Sequence, residues 1–355
     1  MRIADLDTPC LLLDLDRVQA NIATMMGMIA DTGVSLRPHF KTPKCPQVAR
    51  LQIEAGAIGI TVAKLGEAEV LADAGLGPIL MANQVVGRLK VDRLMALLVR
   101  GVDITVAVES EFNIAELADG AGRSGQRPAA VIEVDAGLRR CGSATPEQTV
   151  GLARTLMENG IDYRGIMGYE GHMYGQPEDA ARAELIHKAL ATVNDHVEAL
   201  AEAGLAPKIV STSGTASVLI ASKTAGVTEL QAGTYVFNDS HNEEFIPGVF
   251  ENALTLLMTV ISVKDRYAVG DAGAKSLTNE FGPPMSVDGT VKVARLSEEH
   301  CTLTGEGIAK LKPGQRIEVV PSHGDTTLNQ HDVYYVRRGE EVIDTWPILA
   351  ARKFR

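Results

Sequence analysis

A chain of 355 residues is too long for one small core, so two domains, or one barrel with an addition, are expected. A net charge of -11 excludes the basic surface that nucleic acid or an anionic membrane selects for, while 45% hydrophobic residues suffice for a sizeable core. Cys10, Cys45, Cys141 and Cys301 lie far apart with no CxxC pair, and MRIADLDTPC carries no apolar signal core, so a soluble cytoplasmic protein without membrane contact is expected.

The first predicted element is a buried strand over residues 8–14, TPCLLLD. Asp16 reads as the cap of a helix that sets Val18, Ile22, Met25 and Met26 on one face. A beat of short apolar strands and helical patterns follows. The strands are expected at 34–38, 57–63, 78–83, 103–109, 129–135, 163–169, 208–213 and 229–237. Helical periodicity lies between them, for example at 65–74, 146–159 and 178–203. Eight strands with intervening helices over roughly 220 residues fit an α/β fold of the (β/α)8 barrel type. An open doubly wound sheet is the runner-up, though no GxGxxG follows the first strand. The rhythm changes near Asn238. Strand-like runs at 254–263, 267–271, 291–296, 301–304, 316–321 and 333–345 then follow almost without helix, with Arg338-Gly339-Glu340 as a hairpin tip. The reading is a barrel over 15–240 followed by a C-terminal β domain over 241–355, which the strand at 8–14 joins.

In a barrel the polar residues that end strands converge on one face. Here these are His39 and Lys41 in RPHFKTPK, Asn83-Gln84, Asp135 to Gly142, Tyr169-Glu170-Gly171-His172, Ser213-Gly214-Thr215, and Gln231-Ala232-Gly233-Thr234-Tyr235. The last two loops offer N–H groups, hydroxyls and close backbone approach, which suits a phosphate. A lysine across the barrel from such a seat suits pyridoxal phosphate, whose aldehyde takes an amine. Further on, His323 and Asp325 sit at i and i+2 in PSHGDTT. If the chain there is extended they point the same way and form half of a metal site, with oxygen ligation favouring Mn²⁺ or Mg²⁺. The other reading of Asp325 is a turn in which it caps a backbone N–H. His172, His241 and His300 read as core or surface residues on spacing alone.

These segments, with EVDAGLRRCG, ELQAGTYVF, DAGAKS, PSHGDTTLNQHD and WPILAARKF, resemble the fold-type III pyridoxal-phosphate enzymes. That is the alanine racemase-like group, and within it the D-threonine aldolase, 3-hydroxy-D-aspartate aldolase and D-serine dehydratase family. The resemblance implies a homodimer acting on a small D-amino acid, with the cofactor on the barrel and a divalent metal on the β domain. It implies Lys41 as the lysine that holds the cofactor aldehyde, Arg140 beside the phenolic oxygen, and Tyr169 lining the ring. Gln84 is the family's polar residue after the third strand. Ser213, Gly214, Thr215, Gly233, Thr234 and Tyr235 hold the phosphate or the ring. Gln231 stands where alanine racemases place an arginine near the ring nitrogen. His323 and Asp325 bind the ion. For the base that takes a substrate hydroxyl proton, His172 or a metal-bound water is the candidate.

Three departures are visible. The dehydratase branch usually writes H-x-C and uses zinc, whereas Asp325 here follows the aldolase branch, so Mn²⁺ or Mg²⁺ is expected and Zn²⁺ is the alternative. The loops at 169–174 and 238–243 depart from the usual aldolase pattern and are expected to touch substrate. Pro43 stands where relatives often carry a histidine. The implied reaction is retro-aldol cleavage of a β-hydroxy-D-amino acid. The alternative is dehydration of D-serine or D-3-hydroxyaspartate at the same site, and the remote alternative is a non-catalytic cofactor carrier.

Overall fold

The computed structural model describes residues 1–355. The chain divides into two compact units. One comprises Met1–Met25, Thr42–Val48 and Thr234–Arg352, the other Met26–Lys41, Ala49–Gly233 and Lys353–Arg355. Its first strand is β1 (Cys10–Asp14), followed by α1 (Leu15–Ile29). Val18, Ile22 and Met25 are buried, Met26 only partly. The cap lies two residues before the expected one: Asp14 Oδ1, not Asp16, accepts from the N–H of Arg17 at 3.2 Å.

In the second unit the parallel strands are β2 (Ser35–Leu36), β3 (Ile60–Val62), β4 (Ile79–Gln84), β5 (Ile104–Val108), β6 (Ala129–Val134), β7 (Asp162–Gly168), β8 (Ile209–Thr212) and β9 (Glu229–Leu230). Their order is β2-β9-β8-β7-β6-β5-β4-β3. A parallel bridge from His39 to Thr61 closes the ring. The helices are α2 (Pro46–Glu54), α3 (Leu65–Asp73), α4 (Arg88–Val99), α5 (Glu111–Ser124), α6 (Pro146–Glu158), α7 (Asp179–Glu202) and the single turn α8 (Val218–Ala221). Local chemistry sets their ends. Ser110 and Thr145 accept from the N–H groups of Asn113 and Gln148, Pro146 opens α6, and Gly125 at φ 70° ends α5. All six residues of β6 are buried, as a parallel strand covered on both faces requires. Leu80, Ala107, Val131 and Met167 fill the barrel interior.

After α9 (Ser240–Glu243) the first unit continues with β10 (Leu254–Val263), β11 (Ala268–Gly270), β12 (Met285–Ser286), β13 (Lys292–Leu296), β14 (Cys301–Thr304) and β15 (Arg316–Val320). α10 (Gly324–Leu328), β16 (Val333–Arg338) and β17 (Glu341–Pro347) complete it. β10 pairs with β15, and through β12, β13, β14 and β11 the sheet returns to β10 as a closed antiparallel ring. β1 lies beside the first half of β10 and carries β16 and β17 on its other edge. The hairpin between β16 and β17 turns at Gly339, φ 55°. The run expected as one strand at 229–237 pairs for only two residues; Thr234–Val236 is a 3-10 turn.

Candidate active site

Lys41 leaves the barrel rim just beyond β2. Phe40 beneath it is buried and its N–H donates to Thr61 O at 2.7 Å, while the Lys41 N–H donates to His39 Nδ1 at 3.3 Å. Lower on the same strand Arg37 makes two 2.9 Å bonds to the carboxylate of Glu229 on β9. Both are buried, so losing either partner strands a charge, at a cost of about 3–5 kcal/mol. That pair fixes the strand from which Lys41 projects, and the Lys41 side chain itself is exposed.

A carboxylate inside the barrel organises the next part of the rim. Glu133, buried on β6, accepts from Gln84 Nε2 at the end of β4 and lies 3.8 Å from Arg140 Nη2. Burial raises its carboxyl, against the pull of Gln84 and Arg140. Arg140 sits over the Tyr169 ring at 5.9 Å. The loop that carries it folds back onto β6. Asp135 Oδ1 accepts from Gly137 and Arg139 at 3.0 and 2.9 Å, and Glu109 Oε2 accepts from the Gly142 N–H at 2.5 Å. Arg139 stands at φ 56° and Ser213 at φ 78°, a left-handed conformation uncommon outside glycine and found where a loop is shaped for a task.

The loop after β8 forms a cradle. A Cβ on Gly214 would meet Tyr169 Cε2 at 3.3 Å, Tyr169 Oη at 3.4 Å and Tyr174 Oη at 3.5 Å. The Gly214 N–H donates to Ser217 Oγ at 3.1 Å, and Ser213 and Thr215 are buried beside it. Ser217 Oγ donates in turn to the wholly buried Glu170, whose carboxyl burial pushes up. Thr212 Oγ1 and His172 Nδ1 are buried with no hydrogen-bond partner. The His172 ring lies against Gly137, where a Cβ would come within 3.1 Å of it. Gln231 donates to Ser211 Oγ at 2.9 Å, and Gly233 is buried at the end of this unit. Thr234 and Tyr235 fall in the 3-10 turn of the other unit, where Tyr235 is buried against Phe250 at 5.7 Å. The strand order also corrects one expectation. The loops after β8 and β9 are not across the ring from Lys41 but one and two strands along from it, since β9 is β2's neighbour. Orphaned polar atoms, a glycine-lined cradle and a rim lysine fit a phosphorylated aldehyde cofactor.

The other unit holds a second cluster. The chain is extended at His323 but turns helical at Gly324, so Asp325 lies in the first turn of α10 rather than on a continued strand. His323 Nε2 and Asp325 Oδ2 are 4.0 Å apart, and Asp325 Oδ1 is buried without a partner. Asp239 is buried beneath, accepting from the N–H groups of Asn242 and Gly324 at 2.7 and 2.9 Å. Burial holds its carboxyl above the ordinary range, and those N–H groups oppose the shift. His241 stacks on Phe281, with ring centroids 4.1 Å apart. An imidazole nitrogen beside an unsatisfied carboxylate oxygen fits a divalent cation. Glu133, Glu280 and Phe281 escaped the sequence reading, and Glu170 entered it only as one residue of a strand-end segment. Only Glu133 left a signal, an acid inside the apolar run AAVIEV.

Residues 13–241 match the family described as alanine racemase, N-terminal domain, and residues 253–337 the putative serine dehydratase domain. The chain is 34% identical over 363 residues to a 3-hydroxy-D-aspartate aldolase of Paracoccus denitrificans, covering 99% of this chain and 93% of that protein. The crystal structure of a D-threonine aldolase from Filomicrobium marinum is similar with a TM-score of 0.95 at 33% identity, covering 100% of this chain and 97% of that one. The D-threo-3-hydroxyaspartate dehydratase of Delftia sp. HT23 is similar with a TM-score of 0.90 at 30% identity, covering 98% of each chain; a variant of that dehydratase is also solved in a metal-free form. The likeness runs through nearly the full length on both sides, and the chain therefore belongs to the fold-type III pyridoxal-phosphate enzymes, in the branch that joins an alanine racemase N-terminal domain to a serine dehydratase domain.

Proposed function

We propose that this chain is a metal-activated lyase that cleaves a β-hydroxy-D-amino acid to glycine and an aldehyde, as D-threonine aldolases do. The observation that carries the reading is the donor pair His323 and Asp325, with a buried carboxylate oxygen left unsatisfied, in a chain of this family. A retro-aldol reaction needs its hydroxyl proton made acidic, and a divalent cation does that. The dehydratase alternative would use the same site, and Asp325 in place of the cysteine of H-x-C favours the aldolase over it.

The bound cofactor would supply an electron sink for the bond broken at Cα. Lys41 would tether it, and the loop of Ser213, Gly214 and Thr215, with Gly233 and Thr234, would seat its phosphate. Arg140, beside Glu133, would meet the cofactor's phenolic oxygen, and Tyr169, under the Arg140 guanidinium, would flank its ring. Gln84 holds Glu133, Gln231 would offer its amide near the ring nitrogen, and Tyr235 braces the turn that follows. The base that takes the hydroxyl proton would be His172 or a water on the metal. His323 and Asp325 hold Mn²⁺ or Mg²⁺. The protein works as a cytoplasmic homodimer.

The test supplies the holoenzyme with D-threonine, D-3-hydroxyaspartate, D-phenylserine and D-serine, with Mn²⁺ or with EDTA. Glycine and aldehyde are expected with the metal only, and the Lys41→Ala protein should be inactive. Keto acid and ammonia as products would replace the aldolase reading by dehydration, and no turnover of any D-amino acid would leave a cofactor carrier.

A further inference from the structure

Glu280 lies on the loop before β12, which hydrogen bonds tie to the turn holding the metal pair. Thr278 Oγ1 meets Thr326 Oγ1 at 3.0 Å and Thr327 Oγ1 at 2.9 Å, and Ser322 Oγ donates to Thr278 O at 3.2 Å. From that loop Glu280 Oε1 lies 2.5 Å from His323 Nδ1 and accepts from Thr326 Oγ1 at 2.6 Å. The next residue, Phe281, meets the His323 ring edge-on at 5.1 Å and 73°. One loop therefore grips the imidazole twice, by a carboxylate and by a ring.

A carboxylate oxygen within hydrogen-bond distance of Nδ1 accepts the proton carried there, and the tautomer protonated at Nδ1 leaves its lone pair on Nε2. Nε2 is the nitrogen on the side of Asp325. We infer that Glu280 is a positioning residue that selects the metal-binding tautomer of His323. The inference rests on the metal reading above and adds a residue to it.

The test measures Mn²⁺ affinity by electron paramagnetic resonance on the cofactor-loaded protein without substrate. Glu280→Ala should weaken Mn²⁺ binding about 10- to 100-fold, the usual effect of losing a partner behind a metal ligand. Cofactor absorbance and far-ultraviolet circular dichroism should stay as in the wild type, because Glu280 is a partly exposed loop residue. Nitrogen NMR of the metal-free wild type should show the Nδ1–H tautomer at His323, and Glu280→Ala should shift it toward Nε2–H. Equal Mn²⁺ affinity in the two proteins, or an Nε2–H tautomer in the wild type, overturns the role of Glu280. A wild type that binds no Mn²⁺ at all overturns the metal reading itself.

Discussion

A carboxyl group that loses its water must be given hydrogen bonds or keep its proton, and both pulls act on Glu170. It is wholly buried behind the Gly214 cradle, bonded to Ser217, and burial raises it above its ordinary value of 4.5. A folded-state value above the unfolded one means that the folded chain binds the proton more readily. The favourable contribution is then complete below pH 4.5 and is lost as pH rises through the raised value. Glu170→Gln removes that loss. Chemical denaturation between pH 4.5 and 7 should show wild type losing stability relative to the variant as pH increases. Parallel pH dependence in the two proteins would show that Glu170 carries no such shift. The burial of such a carboxylate was not legible in the sequence: Glu170 falls in a strand-end segment expected to touch substrate, and nothing in its neighbours says that the fold covers it. Lys41 was legible as a rim residue for the opposite reason. Its place follows from chain order alone, one strand and one turn, which pattern supplies.

Elements show the same division. The expected strand at 254–263 and the helix at 178–203 nearly coincide with β10 and α7, since apolar periodicity decides both. The 3-10 turn at Thr234–Val236 falls in a run expected as strand, and the short helix at Gly324–Leu328 falls where extended chain and turn were both open, because β-branched and hydroxyl residues suit strands and caps alike. What sequence pattern cannot supply is the path of a loop, and the one after β6 carries Arg140. It returns to the strand through Ser143, whose N–H donates to Glu133 O at 2.8 Å. At Gly142, φ 114°, a Cβ would stand 2.4 Å from Asp135 N and 2.5 Å from Val134 C, both backbone. Neither can yield, so Gly142→Ala should open the return and lift Arg140 from Glu133. The expected cost is about 1–3 kcal/mol of stability, as for a strained backbone position. Cofactor titration followed by absorbance should show weaker binding. An unchanged dissociation constant for pyridoxal phosphate would separate the loop's path from the cofactor.

At the scale of the molecule, chain order and sheet order disagree most in the first unit. β1, from the start of the chain, lies between β10 and β16, antiparallel to one and parallel to the other. Its leucines, Leu11, Leu12 and Leu13, are wholly buried, and Ile3, Leu6 and Cys10 join Leu12, Leu257 and Val342 in one apolar cluster. The preceding segment adds two backbone bonds, Ile3 N–H to Glu340 O at 3.1 Å and Val342 N–H to Met1 O at 2.8 Å. The strand thus holds β16 and β17 to the closed ring. Burying each leucine contributes about 1.5–3 kcal/mol, so the set rivals the whole margin of roughly 5–15 kcal/mol by which domains stay folded. Two bared strand edges would then invite pairing between molecules. A chain that starts at Leu15 should therefore accumulate in the insoluble fraction, and any soluble remainder should be cut by protease within β10 to β17. The helical signal of the barrel strands and their helices should outlast that loss, because Met26–Lys41 and Ala49–Gly233 build their own closed sheet. Recovery of the truncated chain as a soluble species with the protease pattern and melting temperature of the full protein would show that β10 and β16 hold their places without β1.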